Sequence, residues 1–400
     1  MREAVIIDAV RTPIGRGRQG GALTGWHPAD LLAHVLRGLV DRTGIDPKTI
    51  DDVITGCVSQ VGEQAFNVGR NAVLAAGFPE TVPATSVDRQ CGSSQQALHF
   101  AAQGVIAGAY DVVIAAGVES MSRVPMFSSS VGQDPAGPAV AKRYLAQGGL
   151  VPQGISAELI AAKWALSRAA LDEYSAQSHQ RAAAAAAAGV LDGQILPTPA
   201  DRGDGRTREM VTADEGVRPE STPETLSALK PAFYSEELAA RYPQINWVVT
   251  AGGASQISDG AAAVLIMERG RAEALGLTPR AAVREFAVVG DDPVFMLTGV
   301  IPATGKVLTR AGISIDDIDA FEVNEAFAPV VLAWLAETRA DPAKVNMRGG
   351  AIANGHPLGA SGAKLMANLV SVLEETGGRY GLQVICEGGG MANATIVERL

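Results

Sequence analysis

The sequence predicts an α/β protein with a duplicated core and an inserted region. Three observations predict it: short apolar runs alternate with helical patterns, glycines fall directly after those runs, and the end of the chain loosely repeats its beginning. In the first part, strand candidates stand at Ala4–Asp8, Asp52–Cys57, Thr85–Asp88 and Asp111–Ala116. Helical patterns at Pro28–Thr43, Asn67–Ala76 and Gly92–Ala107 lie between them. Strand then helix, repeated, implies a buried and largely parallel sheet. Many of the 45 glycines follow the strand candidates, where tight turns and close backbone approach require a residue without Cβ.

From about Met121 to Gln244 the chain changes character, with Ser, Gly and Pro-rich turns, a helix at Ser156–Trp164 and an alanine-rich helix at Ser167–Ala188. Alanine is the best helix former, so the run Ala182–Ala188 reads as plain helix. This places an insertion at 121–244, between an N-terminal half at 1–120, completed by 245–270, and a C-terminal half at 271–400. The repeat is visible twice. Gly44-Ile45-Asp46 before Ile50-Asp51-Asp52-Val53-Ile54 recurs as Gly312-Ile313-Ser314 before Ile315-Asp316-Asp317-Ile318-Asp319. Cys91-Gly92-Ser93-Ser94 opens a small-residue helix leading to a strand, and so does His356-Pro357-Leu358-Gly359-Ala360-Ser361-Gly362, whose strand is Leu382–Ile385.

Composition excludes several classes of function. A chain of 400 residues exceeds one core, so the halves must share an interface. No apolar run reaches the roughly 18 residues of a membrane helix. With 43 acidic against 33 basic residues, the net charge of -10 provides no footprint for a nucleic acid. Three cysteines, Cys57, Cys91 and Cys386, form neither a disulfide framework nor a zinc spacing, which points to a reducing cytoplasm and no metal. Met1-Arg2-Glu3 runs straight into the first strand, leaving no room for a signal or transit peptide.

The chemistry concentrates at helix entrances, where free N–H groups and the positive end of the dipole stabilise an anion. Cys91 stands at one, and the glycine after it admits a substrate close to the backbone; a favoured thiolate there is a nucleophile. The competing reading is a small buried hydrophobe. His356, in a glycine-rich turn, is badly placed for a core histidine and well placed to activate a thiol or donate to an oxyanion. Cys386 ends an apolar strand before three glycines and supplies a second titratable thiol. Cys57, inside a strand, reads as core. His27, His34, His99 and His179 have no partners at metal-ligand spacing and read as structural.

These residues resemble the thiolase family, across essentially the whole chain. The resemblance rests on Val87-Asp88-Arg89-Gln90-Cys91-Gly92-Ser93-Ser94, on Asn324-Glu325-Ala326-Phe327-Ala328, on Gly349 through Gly362 around His356, and on Cys386-Glu387-Gly388-Gly389-Gly390-Met391. Ala251 through Ala261 is similar to the family's stretch along the pantetheine arm of coenzyme A. The resemblance implies a thiolase fold: duplicated αβαβα layered halves with an inserted loop domain covering the active site. It implies thiolysis of a 3-oxoacyl-CoA by coenzyme A, with no cofactor, by a homodimer or homotetramer. Cys91 would be the nucleophile and His356 its base. Asn324 would hold a water at the first oxyanion, Cys386 would be the acid and base, and the N–H groups of Cys91 and Gly388 would meet the second oxyanion. Ser255 and Ala254 would line the pantetheine and Arg218 the adenine nucleotide, although a solvated surface charge is an equal reading of Arg218. Glu325 and Asp88 read as capping or bridging groups. Short-chain acetoacetyl-CoA thiolases have Tyr-His-Met-Gly where this chain has Val151-Pro152-Gln153-Gly154, so a longer or bulkier acyl chain is expected. Asn354 stands where the family often carries an apolar residue. The alternatives are a biosynthetic acetoacetyl-CoA thiolase, a ketosynthase, a Cys-His thioester hydrolase, and a non-catalytic acyl-CoA or lipid carrier.

Overall fold

The computed structural model describes residues 2–205 and 209–400. Met1 and residues 206–208, which fall in the expected N-terminal half and insertion, lie outside the described residues. The strands used below are β1 (Ala4–Arg11), β2 (Asp52–Gly56), β3 (Ala84–Val87), β4 (Val112–Ser120), β5 (Ser258–Glu268), β6 (Ala281–Gly290), β7 (Ala320–Val323), β8 (Tyr380–Glu387) and β9 (Met391–Arg399). They form one sheet path in the order β7-β8-β9-β6-β1-β5-β4-β2-β3. The two ends of that path mirror each other. In the first, β2 pairs in parallel with β4, β4 antiparallel with β5, and β5 antiparallel with β1. In the second, β7 pairs in parallel with β8, β8 antiparallel with β9, and β9 antiparallel with β6. The pairs Val5↔Ala282 and Ile6↔Ala281 join them.

The sheet is therefore mixed, and the expectation of a largely parallel one is corrected. The reason lies in the connections. Gly388–Gly390 is too short for a crossover, so β8 and β9 form a hairpin, and a hairpin is antiparallel. Gly389 and Gly390 turn it with φ of 87° and 79°, a region open to glycine. The strand β5 enters after the insertion and lies between β1 and β4, antiparallel to both.

Layering follows from alternation along the strands. On β5, Ala261, Ala263, Leu265 and Met267 face an outer core with the helix α1 (Pro28–Thr43), while Ala262, Val264 and Ile266 face a central core. That centre contains two helices, α3 (Ser93–Ala107) and, from the other half, α8 (Ser361–Thr376). α2 (Val68–Ala75) joins α1 outside the first half. The insertion adds α4 (Gln153–Lys163) and α5 (Arg168–Ala187). The far face of the second half is covered by α6 (Val300–Ala311) and α7 (Ala328–Thr338). The order is helix, sheet, helix, sheet, helix. Because α3 and α8 are sandwiched, they are buried along most of their length, and each opens on small residues, Ser93-Ser94 and Ser361-Gly362-Ala363. A Cβ on Gly362 would collide with the backbone of Gln95, so the two helix starts meet only because glycine is there. The starts of α3 and α8 carry the cysteine and histidine turns.

Candidate active site

Cys91 sits between β3 and α3 on a turn whose geometry is imposed. Gln90 has φ of 47°, a left-handed conformation that costs a non-glycine residue about 1–3 kcal/mol. Hydrogen bonds hold it there: Asp88 Oδ1 accepts from Gln90 N at 2.7 Å, and the Ser93 hydroxyl donates to Gln90 O at 2.6 Å. Asp88 is thus a turn-holding residue. At Gly92, the N-cap of α3, a Cβ would collide with Glu387 Oε1.

His356 follows Gly355, whose φ is 88°, and its own N–H is shared between Ser258 Oγ at 3.0 Å and Gln256 O at 3.2 Å. The Ser361 hydroxyl donates its one proton to Pro357 O at 3.1 Å. With that proton on Pro357 O the hydroxyl accepts from the ring, and we assign the hydrogen to His356 Nδ1, 2.6 Å away. Nε2 is left with its lone pair, 3.5 Å from Asn324 Nδ2. Burial pushes His356 down to about 3, and the nearby Lys364 charge adds to the effect, so the resting imidazole is neutral. Asn324 Oδ1 has no partner among the described residues although Asn324 is 1% exposed.

Cys386 ends β8 and is fully buried; burial pushes its thiol up to about 12, with Glu387 contributing. Glu387 is itself buried and pushed up to about 8, Arg89 opposing and Asp88 adding to the shift. The next residue, Gly388, lies against the turn before Cys91, with Gln90 Oε1 3.0 Å from where its Cβ would stand. Burial pushes the Cys91 thiol well above its usual range, and Cys386 and Glu387 raise it further. Burial thus works against the resting thiolate expected at Cys91. The resting site is two thiols and a neutral imidazole, and a thiolate forms only with a proton transfer.

Cys91 and His356 line one cavity of about 290 Å³, together with Phe127, Ala254, Ser255 and Phe327. It continues through Ala254, Ser255, Gln256 and Ile257 into a groove of about 310 Å³ bearing Arg16, Arg18 and Arg218. Phe127, Pro152 and Gln153 also border a third chamber of about 600 Å³, lined by Gln90, Met296 and Gly388. The structure thus brings together Cys91, His356, Ala254 and Ser255 in one cavity, with Asn324 on the histidine. Gly388 lies in the adjoining chamber and Arg218 at the basic mouth. Cys386 is behind the surface, acting on Cys91 electrostatically.

Sequence reasoning missed Gln256, whose amide donates to Gly216 O, Ile352 O and Ala353 O, pinning the pantetheine-like stretch to the histidine turn. It also missed Ser258 and Ser361, which lie inside the quoted motifs but act only through spatial contact. Gly15-Arg16-Gly17-Arg18 was a legible signal, a basic cluster in an acidic chain. Glu325 is structural: it accepts from Tyr174, Ser178, Asn346 and the N–H of Ile352. His179 Nδ1 accepts from Arg218 N at 3.1 Å, tying the insertion helix α5 to the basic mouth. Cys57, Cys91 and Cys386 are all free thiols; Cys57 lies just past β2 and is buried. Among the described residues no cluster of three His, Cys, Asp or Glu side chains is arranged to hold a metal.

Comparison with known proteins shows the family. Residues 4–270 match the family described as thiolase, N-terminal domain, and residues 277–399 match thiolase, C-terminal domain. The chain is 50% identical to the steroid 3-ketoacyl-CoA thiolase FadA6 of Mycobacterium tuberculosis, over 100% of this chain and 95% of that protein. It is 43% identical to a 3-ketoacyl-CoA thiolase of Klebsiella pneumoniae, over 100% of both. Among solved structures, human mitochondrial 3-ketoacyl-CoA thiolase superposes with a TM-score of 0.87 at 34% identity, covering 100% of this chain and 99% of that one. Acetyl-CoA acetyltransferase of Bacillus anthracis superposes with a TM-score of 0.88 at 35% identity and the same coverage. The chain belongs to the thiolase family of acyltransferases.

Proposed function

We propose that this protein is a degradative 3-ketoacyl-CoA thiolase, cleaving a 3-oxoacyl-CoA with coenzyme A into acetyl-CoA and a shortened acyl-CoA. The observation that carries the reading is the meeting of Cys91 with a neutral His356 in one cavity, the ring held at Nδ1 by Ser361. The Cys91 thiol gives its proton to His356 Nε2 while its sulfur attacks the 3-oxo carbon. The bond from C2 to C3 breaks, leaving acyl-Cys91 and the enolate of acetyl-CoA. The enolate oxygen accepts from His356 Nε2–H and from a water at the free Asn324 Oδ1. Cys386, whose buried sulfur must reach the cavity once substrate is bound, gives its proton to C2 and acetyl-CoA departs. Incoming coenzyme A gives its thiol proton to Cys386 and attacks the acyl carbonyl, whose oxygen lies against the N–H groups of Cys91 and Gly388. The Cys91 sulfur leaves and recovers its proton from His356.

The groove with Arg16, Arg18 and Arg218 is suited to the phosphates of coenzyme A, and Ala254 and Ser255 to its pantetheine. The chamber beside Pro152 and Gln153 supports a bulky acyl group, and the relative named a steroid thiolase points the same way. The division that goes with this reading is 1–120 with 245–270, the covering insertion 121–244, and 271–400. A cytoplasmic homodimer or homotetramer without metal or organic cofactor completes it. Loss of 3-oxoacyl-CoA absorbance on adding coenzyme A tests it, across chain lengths and one polycyclic substrate, beside Cys91→Ala and Cys386→Ala. Turnover that requires coenzyme A, favours the bulky substrate and vanishes in both variants is expected. Activity confined to acetoacetyl-CoA would overturn the substrate class; binding without turnover would overturn the enzyme.

A further inference from the structure

We propose that Lys364 is the positioning residue for His356, its ammonium clamping the Asn354–Gly355 turn that carries the imidazole. This rests on the reading of His356 as the base for Cys91. Lys364 lies one turn along α8 from Ser361, so the two side chains leave the same face of the helix. Ser361 takes the ring by Nδ1, whereas Lys364 Nζ donates to Asn354 Oδ1 at 2.5 Å and to Gly355 O at 2.7 Å. These are the two residues immediately before His356. The Gly355 carbonyl is aimed by a backbone with φ of 88° and ψ of 162°. One helix therefore fixes both the ring and the backbone of the histidine.

Lys364 is 3% exposed, and a buried ammonium needs close partners to be tolerated. Four charges act on it: Arg11 on β1, Asp214 in the insertion, Glu322 on β7 and Glu325 just beyond. Among the described residues, however, it forms no ion pair, and both of its hydrogen bonds go to uncharged oxygens of the histidine turn. A group needed only for charge balance would contact a carboxylate. Its positive charge keeps the resting imidazole neutral and opposes the imidazolium formed when Cys91 gives up its proton, so the clamp acts through geometry, not charge. Burial brings Lys364 down to about 8, the three carboxylates resisting and Arg11 assisting, so the clamp loses its charge in mildly alkaline solution.

The test compares Lys364→Met, Lys364→Arg, Asn354→Leu and His356→Ala in the full chain. It reads kcat, KM for coenzyme A, melting temperature, and the pH dependence of Cys91 alkylation by iodoacetamide. Lys364→Met is expected to lower kcat by roughly tenfold or more with KM within about twofold, the pattern of an interaction that matters at the transition state. The acid limb of alkylation should move to higher pH, because His356 becomes more basic without the neighbouring charge. Lys364→Arg should restore much of kcat, and Asn354→Leu, which removes one of two acceptors, should fall between. If Lys364→Met does not fold, Asn354→Leu carries the same comparison. Parent kcat and pH profile in folded Lys364→Met or Asn354→Leu, beside an inactive His356→Ala, would overturn the proposal alone. So would losses that follow melting temperature without any pH shift. An active His356→Ala would overturn the role of the histidine and the proposal with it.

Discussion

Gly92 and Glu387 meet face to face at the entrance of α3, so closely that the Glu387 carboxyl occupies the place of a Gly92 Cβ. Both carboxyl oxygens lack partners among the described residues, and Asn393 beside them has an unpaired Oδ1. A buried acid without hydrogen bonds stays protonated, and this one is pushed up to about 8. Its charge would raise both Cys91 and Cys386. Near neutral pH, a neutral Glu387 therefore leaves the two thiols free to exchange protons.

Glu387→Gln should accordingly lower the pH at which the cysteines react. Alkylation profiles are expected to shift toward lower pH; an unchanged profile would refute the coupling. Stability gives an independent check. The folded carboxyl holds its proton up to about 8, while the unfolded one releases it near 4.5. The parent thus loses stability as pH rises between those values, and the glutamine variant does not. The melting-temperature difference between them should widen in favour of Glu387→Gln from pH 5 to pH 8.

Ser361→Ala removes the acceptor that fixes the histidine tautomer. Without it, the Nδ1 hydrogen loses its partner and Nε2 is no longer held as the base. Rate should fall roughly 10- to 100-fold, part of what a general base supplies, with KM for coenzyme A nearly unchanged. Steady-state kinetics decide; a change confined to KM would contradict the assignment.

The elements were legible where local rules dominate. Pro28–Thr43 matches α1 because Pro28 begins it and Gly44, with φ of 68°, ends it. The direction of β5 was not legible, because it depends on where the chain returns after the insertion. At the site, Cys91, His356 and Cys386 were marked by glycine-rich turns. The protonation of Cys91 was not, since a helix entrance is visible in sequence and burial is not. Ser361 and Lys364 act on His356 through a helix packed in three dimensions, and no spacing rule announces them.

The chamber beside Gln153 makes substrate size testable. Gln153 borders both the catalytic cavity and the larger chamber, so Gln153→Trp should block passage between them. The ratio of kcat/KM for a polycyclic over a short-chain 3-oxoacyl-CoA is expected to fall at least about tenfold, the lower end of what steric discrimination supplies. An equal loss on both substrates would mean that the chamber does not receive the acyl group.

Arg11 and Asp214 form a deeply buried ion pair, each side chain 2% exposed, with bonds of 2.6 and 3.0 Å. Asp214 Oδ1 also accepts the N–H of Ile14 at 2.9 Å. This couples the insertion to the segment after β1, and Ile14 in turn abuts Gly355, where a Cβ would come 2.7 Å from its Cγ2. Asp214→Ala leaves a buried guanidinium without its counter-charge, which costs about 3–5 kcal/mol. Denaturant unfolding should show that loss as a lower midpoint. Because Ile14 supports the histidine turn, kcat should fall as well under conditions where the variant remains folded. Asp214→Asn keeps the acceptor for Ile14 and removes the charge, so it should recover kcat more than stability. If kcat and stability recover together, the carboxylate acts through folding alone and the link from Asp214 through Ile14 to His356 is refuted.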